Sequence, residues 1–258
     1  MLIATLGEGL CFLINGLSFI PVIWALMTMQ LTPQGKEVQK SQFIYGLKEG
    51  FSYAFGFVPI RSLLLLLALV SLMGMPYTVL MPIFAEKIFE GGPRALGFLL
   101  AAAGVGALAG TFYLASRKTV LGLGGVIVIA TGIFGVGLIA FSLSRLFWLS
   151  LIFMVLTGFG MIVQMASTNT LLQILVEEDK RGRVMSLYTM AFMGMVPFGS
   201  LLSGSLADRI GAPGTIMLGG IACILGSFLF ARKLPSLREM VRPIYVKKGI
   251  LPEDPPDT

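Results

Sequence analysis

Seven apolar runs of membrane-crossing length recur along this chain of 258 residues, separated by polar or charged breaks. An α-helix rises 1.5 Å per residue, so about 20 apolar residues cover a hydrocarbon core of roughly 30 Å. By that ruler the runs are Leu10 to Met29, Leu63 to Phe84, Leu96 to Ala115, Gly122 to Phe141, Leu146 to Leu171, Met185 to Ala207 and Thr215 to Ala231. Composition agrees: 56% of residues are hydrophobic and 12% charged, far from the ~25% charged of soluble domains. A transmembrane barrel needs short segments of alternating polarity, and the chain has none. The expected fold is therefore all-α and integral to the membrane, with about seven transmembrane helices.

Several function classes drop out at once. The chain has no His, and its two cysteines, Cys11 and Cys223, lie inside apolar runs, where they act as small hydrophobes. No metal, no cofactor and no enzymatic chemistry is expected, and the phosphate-cradling loop G-x-x-x-x-G-K-[ST] is missing. The net charge of +6 is scattered between spans rather than gathered on one face, which argues against a nucleic-acid partner.

Basic residues instead report topology. Fifteen of the 19 fall on one side of the membrane, leaving Lys87, Arg94, Arg145 and Arg209 on the other. The basic side is expected to be cytoplasmic. That places the C-terminus in the cytoplasm of a multi-pass cell (inner) membrane protein and Met1 outside. A first helix entering from outside without a basic leader suggests that an N-terminal part is missing; a true seven-helix protein is the rival reading.

The organisation follows: residues 1–30 form one transmembrane helix, 31–60 a cytoplasmic linker, 61–232 a six-helix bundle and 233–258 a cytoplasmic tail. In the linker Phe43, Ile44, Leu47, Phe51 and Ala54 recur at helical spacing, which predicts an amphipathic helix on the membrane surface. Four prolines between Pro243 and Pro256, following Pro235, make the tail from Pro235 onward read as loosely ordered.

Three features are candidates for function. The cluster Glu177 to Arg183 is a cytoplasmic turn in which Asp179, Arg181, Gly182 and Arg183 either gate the molecule or simply orient it. Pro197, with Gly199 two residues on, predicts a bend in the sixth run. Polar groups inside spans usually face inward. Asn15 is one such group. Tyr77, Gln164 and Thr168 sit nearest mid-membrane and could line a substrate cavity or join helices; Asn169 and Gln173, closer to the cytoplasmic end, read more readily as interhelical bonds. No acid falls inside a span.

Three passages carry a resemblance to a family: Leu13 to Phe19, Leu100 to Gly110, and Arg181-Gly182-Arg183-Val184-Met185-Ser186-Leu187-Tyr188, the most specific of the three. The sequence resembles the C-terminal half of a major facilitator superfamily transporter, in particular the branch of enterobactin-type siderophore exporters and macrolide-type efflux proteins. The resemblance implies that the seven runs are helix six plus the C-terminal six-helix bundle of a twelve-helix carrier, and that the N-terminal half is missing. It further implies a secondary active, proton-coupled exporter of a siderophore, drug or similar small molecule, partnered by the lipid bilayer, its substrate and a separate N-terminal half. The coupling carboxylate would lie in that other half. The run Gly204 to Gly211 matches a superfamily loop signature but falls on the wrong side of the membrane for it, so a helix-end turn is expected there. The alternative is a non-transporting truncated membrane protein or scaffold.

Overall fold

A computed structural model describes residues 8–28 and 49–252. The first half of the amphipathic linker segment, including Phe43, Ile44 and Leu47, and the last six residues lie outside the described residues, as does the Asn15 side chain. The chain divides into two units, residues 1–44 and 45–258. Of the first unit, helix α1, Glu8–Thr28, is described; Leu17, Ile20, Trp24 and Met27 are exposed along it.

The second unit is all helix among its described residues, apart from short connections. A short helix α2, residues 49–56, is followed by α3 (Val58–Ile88), α4 (Gly92–Ala115), α5 (Leu123–Leu143) and α6 (Phe147–Leu175). A final helical stretch, Arg181–Lys247, runs for 67 residues. Gly211 divides it, with φ 76° and ψ 161°, a region that only glycine enters without strain. We call the pieces α7 (181–210) and α8 (212–247). Each exceeds the roughly 20 residues of a membrane span, so this unit has six helical pieces long enough to cross a bilayer. Gly211 thus makes the helix-end turn at the close of the Gly204 to Gly211 run.

Within hydrocarbon there is no hydrophobic force between helices, and association depends on close packing through small residues. The bundle shows this at three seams. Between α4 and α6, a methyl group on Gly106 would overlap the Val155 carbonyl oxygen, and one on Gly158 the Ala103 carbonyl. Between α5 and α8, a Cβ on Gly135 would lie 2.7 Å from the Gly220 oxygen, and one on Gly220 at 2.7 Å from the Gly135 oxygen. On α3, the carbonyls of Leu72 and Met73 receive Gly199 of α7 and Gly219 of α8. Bulky residues fill what remains: Phe84 stacks on Phe141 at 4.7 Å, amid buried Phe134, Leu138 and Met154.

Three wide helical turns, Val70–Gly74, Phe84–Ile88 and Met190–Gly194, interrupt the regular pattern. The first precedes Pro76 and the third Pro197, where a proline ring would clash with a carbonyl one turn back, and widening that turn relieves the clash. The irregularity expected at Pro197 therefore sits one turn earlier. Gly199 serves a different purpose, as the contact with Leu72.

The tail corrects the sequence reading. Residues 235–247 are helical and continue α8, with Leu237 and Val241 buried against Ile60, Leu67 and Leu172. Leu234, Leu237, Val241 and Tyr245 recur at helical spacing and give the extension an apolar face. Those contacts hold it helical despite Pro235 and Pro243.

Two outcomes follow for stability in detergent. Gly106→Leu should destabilise the bundle by about 3 kcal/mol in denaturant unfolding. Gly104→Leu, two residues away and facing open space, should be neutral within about 0.5 kcal/mol; equal effects would sink the seam argument. Gly211→Ala should cost about 1–3 kcal/mol through backbone strain alone, and an unchanged midpoint would show that the turn relaxes.

Candidate functional site

The charged turn forms where α6 ends and α7 begins. Val176 leaves the helix in extended conformation, and the Lys180 amide donates back to the Glu177 carbonyl at 3.1 Å, closing a tight turn. Helix α7 then starts at Arg181. The Lys180 ammonium bonds the Glu177 carboxylate at 3.3 Å and sits 4.7 Å above the Tyr53 ring. That hydrogen bond pushes the Lys180 pKa above its ordinary value.

Helix α2 docks on this turn. Arg183 Nη1 donates to Glu49 Oε2 at 2.6 Å, and Gly50 is buried so closely that a Cβ there would lie 2.9 Å from the Arg183 Cβ. Tyr53 completes the contact through Lys180. The Arg183 and Glu49 side chains are 41% and 57% exposed. Screening by water leaves such a pair worth roughly 0–1 kcal/mol, so it sets position more than stability. Arg181 reaches Glu178 only at 3.8 Å, and its Nε is buried without a hydrogen-bond partner. Asp179 and Gly182 are exposed, and nothing crowds Gly182.

The three mid-membrane candidates are placed apart from this turn. Gln164 is 1% exposed and Thr168 0%, and Gln164 Nε2 donates to Thr168 Oγ1 at 3.4 Å along one face of α6. Tyr77 is buried in the cluster that holds Phe84 and Phe141, edge-on to Phe134 at 6.2 Å. It shares no described hydrogen bond or ring contact with the α6 pair. All three lie inside the bundle, whereas Gln173 is exposed and donates to Asn169. Ser71 and Ser167, which sequence reasoning passed over, are also buried, and their hydroxyls have no partner.

The bundle's surface divides in a way the sequence reading missed. Helix α5 exposes Ile129, Val136 and Leu143, and α8 exposes Leu218, Ile221, Leu225 and Leu229, all large aliphatics suited to lipid. Helix α4 exposes Gly97, Ala101, Gly104, Leu108, Thr111 and Ala115 along one stripe, beside the bulkier Phe98, Val105 and Phe112, and α7 exposes Ser186, Thr189, Met193, Pro197, Leu201 and Ser205 along another, beside Met190 and Phe198. Thr111, Ser186, Thr189 and Ser205 each donate to a carbonyl of their own helix. Only 22% of α4's most apolar stretch is buried, against 56% for α3 and α5. The signal was present as small and hydroxyl residues spaced three or four apart.

Comparison with known proteins bears on this arrangement. The chain is 27% identical over 182 residues to the staphyloferrin A transporter of Staphylococcus aureus (strain NCTC 8325 / PS 47), an alignment covering 69% of this chain and 45% of that one. The chain thus spans about half the length of the curated relative it matches. A family model described as transmembrane secretion effector matches residues 1–244. With a tightly packed all-helical bundle and a match over nearly its whole length, the chain belongs to the transmembrane secretion effector family of major facilitator transporters.

Proposed function

We propose that this bundle works as the C-terminal half of a secondary active exporter, rocking against a second six-helix half across the exposed stripes of α4 and α7. One observation carries the reading: α4 and α7 each carry, beside exposed bulky residues such as Phe112 and Phe198, a stripe made largely of small and hydroxyl residues, while the exposed positions of α5 and α8 named above are all large aliphatics. Small residues at a surface let another helix approach closely, so α4 and α7 are suited to protein and α5 and α8 to lipid.

The relative's name points to a siderophore as the substrate class, and the exporter branch that the sequence resembles points to outward movement. The proposed orientation puts the basic loops and the C-terminus in the cytoplasm of the cell membrane. Substrate would pass between the halves. Gln164, Thr168 and Tyr77, buried in this half, would act by holding α6 and α3 in place or by turning inward in another state of the cycle. Since the described spans hold no interior acid, proton coupling would use a carboxylate of the second half. The clasp of α2 on the charged turn fits a gate at the cytoplasmic mouth, because Glu49 and Arg183 join the linker to the start of α7.

Both claims can be tested on the complete transporter in proteoliposomes. Gly104→Leu, neutral for folding, should cut siderophore efflux at least about tenfold by blocking the approach of the second half, an effect of about 1.4 kcal/mol. Val136→Leu on the lipid face should leave flux unchanged. Full activity of the Gly104 variant would remove the basis of the reading. For the gate, Arg183→Gln and Glu49→Gln should each lower kcat several-fold with KM within about twofold, and the double variant should be no worse than either single one. A rise in KM with unchanged kcat would place the pair in substrate binding.

A further inference from the structure

At the basic end of the bundle a cavity of about 430 Å³ opens between the start of α3, the start of α5, the end of α6 and the extension of α8. Its size lies within the roughly 300–1,000 Å³ of small-molecule sites. The walls are apolar, with Leu63, Leu171, Leu175, Phe230, Leu237 and Val241 among them, and Arg238 and Arg242 line it as well. The two arginines stand four residues apart and so share one face of α8. Neither takes part in an ion pair among the described residues, and the adjacent Glu239 pairs with neither.

Three further details fix the chemistry of an occupant. A Cβ on Gly125 would lie 3.7 Å from an Arg238 guanidinium nitrogen, so that group sits over the first turn of α5. This helix start has no side-chain cap and no acid in its first turn, and Gly122 and Gly124 open it to the cavity. Arg232 lies 4.6 Å over the Phe228 ring just before the extension begins. A basic residue folded onto an aromatic at the end of an apolar span marks the level of the membrane surface. The cavity straddles that level, with Leu63 and Phe230 on the bilayer side and the arginines on the water side.

We propose that this cavity binds an acidic phospholipid of the leaflet it faces, with an acyl chain among the leucines and the phosphate between Arg238 and Arg242. The apolar walls match the chain and the unpaired arginines match the headgroup, and such basic clefts between helices at the membrane surface suit anionic lipids. A bound lipid would tie the α8 extension to the starts of α3 and α5. The assignment requires membrane embedding but no transport activity, so it can fail while the transport reading stands, and the reverse.

The test is native mass spectrometry of the full chain in mild detergent, titrated with phosphatidylglycerol or with phosphatidylcholine of matched chains. The chain should retain phosphatidylglycerol in preference, and Arg238→Gln with Arg242→Gln should weaken that retention roughly 30-fold. Lys247→Gln with Lys248→Gln removes equal charge from the same helix end without touching the cavity lining, and retention should be unchanged. Gly124→Leu, whose new Cβ meets only the flexible tip of Leu234, should fill part of the cavity and weaken retention of both lipids. Equal retention of the two lipids by the unaltered chain would overturn the proposal. So would an equal loss in the Lys247 and Lys248 variant, or complete displacement of the lipid by millimolar glycerol phosphate.

Discussion

A bilayer core offers buried helices neither water to bond with nor a hydrophobic reason to meet. What holds this bundle is therefore contact at the level of the backbone. At the seams, glycines bring one helix against the carbonyl oxygens of the next: Gly106 and Gly158 between α4 and α6, Gly135 and Gly220 between α5 and α8. The reciprocity matters. Each helix contributes both the gap and the oxygen that fills it, so dispersion gains are large and no side-chain freedom is lost at the contact. The large aromatics occupy space left over by this arrangement rather than create it.

The water-facing end obeys different rules. There, charged side chains can be solvated, and the structure uses them to position a short helix rather than to bury it. Glu49, Tyr53, Lys180 and Arg183 join α2 to the turn before α7 with contacts that are individually weak. Such contacts set where the short helix sits without locking it there. A pair worth several kcal/mol would fix the linker in place, whereas one near thermal energy leaves it free to exchange with water.

The spans were legible in the sequence because twenty apolar residues in a row have few other uses. So was the turn at Glu177 to Arg183, whose charge cannot sit in lipid. The role of the buried polar groups was harder to read. Polarity inside a span says that Gln164 and Thr168 face inward, but not whether inward means the middle of one bundle or the space between two, and the helix partners decide that. The salt bridge from Arg183 to Glu49 joins residues more than 130 positions apart, and no local pattern announces it. The extension of α8 was misread because Pro235 and Pro243 outweighed the spacing of Leu237 and Val241, although prolines in a helix held from one side are tolerated where neighbouring contacts compensate.

The two ends of the bundle differ in how much chain they expose. On one end the connections are residues 89–91, residues 144–146 and the single residue Gly211. On the other lie the loop 116–122, the charged turn 176–180, helix α2 and the α8 extension. One face is thus nearly bare and the other bristles. An antibody, a protease or a chemical label arriving at the bare face of the described bundle finds almost no connecting backbone to grip, whereas the opposite end offers it two loops, a short helix and a helical extension.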